Sequence, residues 1–354
     1  MEAPRRLAIL AQKMLDFHHG KTAVSILRYR PEDVVAVIDS VHAGLTAGQV
    51  LGVGGSTPIV DSLESALRLE PSALLVGIAP RGGALPLEWR RQILAAIENG
   101  LDVISGLHYM LDDDPEFARA AHEHGVNLVD VRRPPAEIDV AGLHPRRSGS
   151  WVVTFVGSDC AVGKMTAALE VVTAARDLGL SAEFVATGQT GIMLDGGGIA
   201  IDRVIGDFMA GAAERLVIEA AERSDWVFVE GQGSLLHPGY SGVTLALLHG
   251  SLPDAMILVH QPSRTHIDQY PLAIPPLDRL VALYEEAARW VKPAPVVAIC
   301  LNTRDMDERN ARRTIAEAAD VTGLPVTDPV RDGGRTLVEA VVHSAEASSA
   351  AGVN

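Results

Sequence analysis

Ten consecutive residues carry the strongest chemical signal in the chain: Gly157, Ser158, Asp159, Cys160, Ala161, Val162, Gly163, Lys164, Met165 and Thr166. Two glycines bound a short turn, and a lysine follows the second. An apolar, β-branched run, Trp151–Val156, stands before the turn, and a helical pattern over Lys164–Leu178 follows it. A strand that enters such a turn and leaves as a helix aims successive backbone N–H groups, and the positive end of the helix dipole, at one anion. Lys164 adds a mobile positive charge. The spacing predicts a phosphate-binding loop rather than a plain strand-to-helix turn.

Two departures from the common pattern G-x-x-x-x-G-K-[ST] narrow that chemistry. Five residues, not four, separate Gly157 from Gly163. Met165 fills the slot whose hydroxyl normally holds magnesium, and Thr166 comes one residue late, about 100° further round the helix. Asp159 could reach a metal in its place. Phosphate binding is better supported than nucleotide hydrolysis, and no resident metal is expected.

A second apolar run, Trp226–Val229, ends in Glu230-Gly231-Gln232-Gly233-Ser234. A carboxylate leaving a strand beside such a loop is placed to act as a base or hold a metal; a turn or capping role is the alternative. Thr187-Gly188-Gln189-Thr190-Gly191 follows the strand pattern Ala182–Ala186, so Gln189 and Gln232 are expected at the same strand ends. Ligands gather there in parallel sheets. His237, His260, Arg264 and His266 also follow strands and are candidates by that position. Asp202, Arg203 and Asp207 lie just beyond the 187–191 turn, Asp207 also being a candidate helix cap. In the first half, Arg81 within Pro80-Arg81-Gly82-Gly83 could take a substrate carboxylate or lie in solvent. Gly52-Val53-Gly54-Gly55-Ser56-Thr57-Pro58 lacks the third glycine of a dinucleotide fingerprint and reads better as a strand–turn–helix. His122 and His124 point to different faces of a helix and make a poor metal pair. Asn302-Thr303-Arg304-Asp305 mimics a base-reading motif without its lysine.

The elements that must position these residues are short apolar runs alternating with helical patterns, the signature of parallel α/β layers. Strands are expected at Val34–Ile38, Val50–Val53, Ala73–Ile78, Asp102–Ser105 and Asn127–Val131. Helices are expected at Ile59–Leu69, Leu87–Asn99 and Pro115–His124. The second half continues with strands Ala255–Val259 and Val296–Leu301. Its further helices are Asp207–Glu222, Leu277–Val291, Glu308–Asp320 and Arg335–His343. The expected organisation is two domains, residues 1–133 and 151–345, joined by a proline-rich linker at 134–150. The tail at 346–354 is expected to fray.

Composition agrees. With 47% hydrophobic residues but 4% aromatics, the core must come from Val, Ile, Leu and Ala, which suits buried parallel strands. A net charge of −15 has the wrong sign for displacing counterions from nucleic acid, though local cations and backbone amides can still hold a small anion. Cys160 and Cys300 are the only cysteines, too few for a disulfide framework or a four-cysteine zinc site, so a reducing cytoplasm is expected. The apolar run Leu7–Leu10 is broken by Gln12 and Lys13 and forms no signal-peptide core. No run approaches the ~20 apolar residues of a membrane span. The expected partners are a small-molecule substrate and further copies of the same chain, with neither nucleic acid nor membrane.

The three motifs at 157–166, 188–191 and 229–234 together resemble a P-loop family long catalogued as a domain of unknown function. Some of its members are D-glutamate N-acetyltransferases. The resemblance spans nearly the whole chain and implies a Rossmann-like N-terminal domain ahead of a P-loop domain, with Met165 part of the family pattern. The P-loop domain is also similar to dethiobiotin synthetase, an ATP-dependent ligase, through the five-residue glycine spacing and the Glu-Gly strand end. Three functions stay open. The first is an acetyltransferase using acetyl-CoA, with CoA phosphates on residues 157–166, Gln189 and Gln232. It would use Glu230 and then His237 as base, with Arg81, Arg203 or Arg264 clamping substrate carboxylates. The second is an ATP-dependent ligase or kinase using magnesium, and the third a non-catalytic nucleotide-binding module.

Overall fold

The computed structural model describes residues 5–16, 19–78 and 85–350. In its first half, short runs rich in Val, Ile, Leu and Ala form β1 Leu7–Leu10, β2 Val34–Ile38, β3 Ile59–Val60, β4 Ala73–Val76, β5 Asp102–Ser105 and β6 Leu128–Asp130. They make one parallel sheet in the order β3-β2-β1-β4-β5-β6. The second half contributes β7 Trp151–Gly157, β8 Ala182–Val185, β9 Trp226–Val229, β10 Ala255–His260, β11 Val296–Leu301 and β12 Val326–Thr327. Their order is β12-β11-β10-β7-β9-β8, again all parallel. The architecture is α/β, with a Rossmann-like first sheet and a P-loop-type second sheet.

Each sheet is buried because nearly every strand residue is apolar and helices cover both faces. In the second sheet, Phe155, Phe228, Ile257 and Leu258 are all fully buried. The chain divides into two units, Met1–Arg133 with Ile192–Arg203, and Pro134–Gly191 with Val204–Asn354. The expected continuous P-loop domain is therefore interrupted at 192–203. Within the first unit, Arg132 pairs with Asp202, and the Arg30 Nη1 donates to the Leu194 carbonyl at 3.1 Å. Residues 134–150, expected as a linker, belong to the second unit. Polar contacts hold their irregular backbone: the Gly142 and His144 amides donate to Glu214, both at 2.9 Å, and the Arg147 guanidinium donates to the carbonyls of Ala221 and Ser224.

Four expectations are corrected. Val50–Val53 is not a strand: Thr46 and Gln49 form a capping box for helix Ala47–Leu51, and Gly52 ends it in the left-handed region. The helix expected over Ile59–Leu69 splits into strand β3 and helix Leu63–Leu67, started by the Ser62 side chain. Leu7–Leu10, noted only as too short for a signal peptide, is the strand on which β2 and β4 both pair. Of the tail expected to fray over 346–354, residues 346–350 continue the helix Arg335–Ala350, which Leu337, Val338 and Val341 anchor in the core, and residues 351–354 lie outside the described residues. Helices Lys21–Tyr29, Gln189–Asp195 and Ser241–Ser251 had no counterpart in the sequence reading.

Candidate active site

β7 runs into Gly157, and helix Lys164–Asp177 starts at Gly163, whose φ of 111° only glycine adopts readily. Between them, Ala161 also has a positive φ, 54°, a conformation a non-glycine residue adopts only under local constraint. The amides of Ala161, Val162 and Gly163 have no partner among the described residues, so the loop presents a row of donors. Lys164 is buried, its Nζ donating to the Asp159 carbonyl at 2.8 Å. The lysine thus lies inside its own loop, where an arriving anion would meet it.

Tertiary bonds hold the loop from every side. Tyr284, fully buried, donates its hydroxyl to the Gly157 carbonyl at 2.6 Å. Ser234 Oγ donates to the Ser158 carbonyl at 3.1 Å, and Asn302 Nδ2 to the Val162 carbonyl at 3.1 Å. Asp159, fully buried, accepts from the Cys160 amide at 2.7 Å through Oδ1, and through Oδ2 from Arg264 at 3.0 Å and the Asp268 amide at 2.8 Å. Arg264 also donates to the Cys160 carbonyl at 2.7 Å. Arg264, expected as a substrate clamp, is a brace of the loop, and Asp159, considered for a metal, is its counter-charge.

The strand ends meet at the lysine. A side chain on Gly231 would overlap the Phe155 carbonyl oxygen and come within 2.8 Å of Lys164 Cδ. Glycine there lets the exit of β9 pass directly against the P-loop lysine. Glu230, 5% exposed, accepts from the Thr187 and Gly188 amides, both at 3.0 Å and both through Oε2. Thr187 Oγ1 returns a bond to the Glu230 carbonyl at 2.6 Å, and Gln232 Nε2 donates to Thr187 Oγ1 at 3.3 Å. Gln189 is buried in the same turn. The two amide donors hold the carboxylate in place.

His237 is buried, stacked on Tyr240 at 4.4 Å and edge-on to Tyr270 at 5.1 Å. Its Nδ1 accepts from the Gly239 amide at 3.1 Å, so in the neutral ring Nε2 carries the proton. The nitrogen left to accept a proton is then Nδ1, which faces the Gly239 N–H. A carboxylate oxygen of Asp159, the Cys160 sulfur and a His237 nitrogen lie within 4.8 Å of one another. That set does not fit a cation. Asp159 is already neutralised by Arg264, and the tautomer of His237 leaves no lone pair on Nε2.

The structure brings residues 157–166, Gln189, Glu230, Gln232, His237 and Arg264 into the second unit. Arg203 belongs to the first unit, exposed in the turn Ile201–Arg203, and Arg81 lies outside the described residues. Met165 and Thr166 are half-buried in the first turn of the helix. Asp207 makes no capping bond. Asn302, read as a remnant of a base-reading motif, instead ties down the loop, while Thr303 bonds to Asp328 and Arg331. Tyr284, Ser234 and Asp268 were missed: they act through backbone atoms far away in sequence, for which no local pattern exists.

His260 Nδ1 lies 2.8 Å from Ser158 Oγ. Burial, and then the charge of Arg264, push its pKa down from 6.5 to about 4. With a depressed folded pKa, the unfolded chain binds more protons between those two values. The stabilising contribution is whole above about pH 6.5 and is lost as pH falls towards 4. Melting temperature followed from pH 7 to 4 should therefore fall with a slope of up to about one proton, and His260→Gln should flatten that region. An unchanged slope would remove His260 as its source.

A parallel α/β unit whose first strand enters a glycine-bounded, lysine-bearing loop defines a P-loop protein, here carrying a Rossmann-like unit in the same chain. The chain belongs to the DUF1611 family. Residues 140–338 match its domain of unknown function described as a P-loop domain, and residues 40–134 its Rossmann-like N-terminal domain. A curated D-glutamate N-acetyltransferase of Tritonibacter scottomollicae is 40% identical over 329 residues, 92% of this chain and 95% of the relative. A second, from a Pseudoalteromonas species, is 38% identical over 279 residues, covering 78% and 83%. The crystal structure of a DUF1611 family protein from Anabaena variabilis superposes with a TM-score of 0.90 at 40% identity, covering 96% of this chain and 99% of that one. Among the described residues no helix is long and apolar enough to cross a membrane.

Proposed function

We propose that the chain is an N-acetyltransferase that moves the acetyl group of acetyl-CoA to the amino group of an acidic amino acid, D-glutamate. The observation that carries this is the convergence of the Lys164 loop, the Gly231 strand end and the anchored Glu230 on one point. Its support from outside the site is the name of two relatives that share most of the chain. The pyrophosphate and 3′-phosphate of coenzyme A suit the donor row at Ala161–Gly163 and the charge of Lys164. Acyl transfer needs no magnesium on a γ-phosphate, which agrees with Met165 in the hydroxyl slot.

The acceptor nitrogen attacks the thioester carbonyl carbon, a C–N bond forms as the C–S bond breaks, and the CoA thiolate leaves. Glu230 takes the proton that the ammonium sheds before attack, and the second proton, lost from nitrogen as the amide forms, goes to the leaving thiolate to give the free thiol. The Nε2–H of His237, and the amides of Gly231, Gln232 and Gly233, which have no partner among the described residues, are the donors for the carbonyl oxygen as it gains charge. Because Gly231 abuts Lys164, the pantetheine arm must fold back over the loop for the thioester to reach Glu230.

Purified protein incubated with acetyl-CoA and a panel of D- and L-amino acids should give N-acetyl-D-glutamate and free thiol, read by mass spectrometry. Acetyl-CoA affinity and turnover should both persist in excess EDTA. Consumption of ATP with strict magnesium dependence, and no acetylation of any acceptor, would replace this reading with the ligase or kinase one.

A further inference from the structure

The turn Gly52-Val53-Gly54-Gly55-Ser56-Thr57, a poor dinucleotide fingerprint by sequence, is not used by the site above. In the structure it does not follow a strand. It joins helix Ala47–Leu51 to β3 and forms one wall of a cavity of about 380 Å³ in the first unit. The opposite wall is the last turn of helix Lys21–Tyr29 and the start of the next turn, through Leu27, Arg28 and Pro31. Pro31 leads into β2 at its N-terminal end, so this cavity does not lie with the C-terminal strand ends, where the ligands of a parallel sheet gather.

Two features make the cavity a receptor for negative charge. The half-buried side chain of Arg28 makes no hydrogen bond or ion pair among the described residues, whereas its neighbour Arg30 pairs with both Glu32 and Asp33. The backbone amides of Val53, Gly54, Gly55 and Ser56 have no partner among the described residues either. Gly54 and Gly55 adopt φ of 78° and 54°, and a side chain on Gly54 would come within 2.7 Å of Leu27 Cδ2. Glycine at 54 therefore lets the amide-bearing turn approach the helix that carries Arg28. Leu27, Pro31 and Val53 line the rest with apolar surface. In a chain of net charge −15, a guanidinium and a row of amides that line one cavity without partners among the described residues are a specific attraction for an anion.

We propose that this cavity binds a small anionic metabolite, a carboxylate or phosphate on a short apolar body. Its charged end sits between Arg28 and the amides of Val53–Ser56, independently of the P-loop site.

The test uses the full chain carrying Lys164→Ala, so that the P-loop answers least, titrated by calorimetry with inorganic phosphate and separately with succinate. Nitrogen-15 spectra follow the amides of Gly54, Gly55 and Ser56. Saturable binding of at least one probe is expected, with those amides shifting. Arg28→Ala should weaken it by about tenfold or more, and Ser56→Glu, which sets a carboxylate at an exposed position beside Arg28, should abolish it while leaving the melting temperature nearly unchanged. The stronger of the two probes assigns the phosphate or carboxylate class. Absence of saturable binding by both probes, or binding that Arg28→Ala and Ser56→Glu leave intact, would overturn the proposal. So would a fall in melting temperature in Arg28→Ala with unchanged affinity, which would reduce Arg28 to complementing the helix C-terminus. None of these outcomes bears on acetyl transfer, which the wild type reports separately.

Discussion

In Glu230→Gln, kcat for D-glutamate acetylation is expected to fall by about 10²–10⁴, while affinity for acetyl-CoA stays within twofold or so. The carboxylate is buried and fixed through Oε2 by the Thr187 and Gly188 amides. Glutamine keeps that shape and can still accept from the amides through its carbonyl oxygen, but it cannot take a proton from an ammonium. The fixed geometry is what makes the substitution informative. If Glu230 were only an anchor for the 187–191 turn, the variant would lose melting temperature and keep its kcat. If it held a metal, nucleotide affinity would fall in a magnesium-dependent way. Rate, affinity and melting temperature on this one protein separate the three, and wild-type turnover would end the base assignment.

Lys164→Ala is expected to weaken acetyl-CoA binding about ten- to a hundredfold, the 1.5–3 kcal/mol of a charge-assisted contact. The lysine is more buried than a residue opening a surface helix, and its stem fills the space against Gly157 and Gly231. Alanine therefore also removes packing, so Lys164→Met, which restores most of the stem without the charge, is the sharper variant. It should keep the melting temperature and still lose the affinity. Unchanged calorimetric affinity in folded Lys164→Met would remove the P-loop assignment, since the lysine's charge would then meet no anion.

Local patterns made much of this protein legible. The strand Trp151–Gly157, the glycine-bounded turn and the helix from Lys164 form one contiguous segment, and contiguous chemistry can be read in one dimension. The same holds for the helix Pro115–His124, whose Asp114 cap, proline and closing Gly125 are all local. Short elements fared worse. The strand pattern Val50–Val53 lost to the Thr46–Gln49 capping box because a five-residue helix is decided by its caps and not by its apolar content. Leu7–Leu10 carried too few residues to declare itself, yet two neighbours pair with it. Ala- and Glu-containing residues up to Ala350 stay helical because the apolar stripe at Leu337, Val338 and Val341 docks the start of the helix.

The amino-acid sequence by itself determined the two-sheet α/β plan and the glycine-bounded loop with its lysine. Both rest on residue types within a few positions of one another. Only the tertiary structure decided the roles of the charged and polar side chains around the loop. Arg264 proved to be a brace because Asp159, 105 residues away, takes its charge. His237 proved to have its Nδ1 occupied because the Gly239 amide folds back onto it. Glu230 proved to be anchored because the Thr187–Gly188 turn folds onto it. A side chain's chemistry is set by what shares its hydrogen bonds and excludes its water. Such partners are chosen in three dimensions by how strands and loops pack, for which spacing along the chain has no signature.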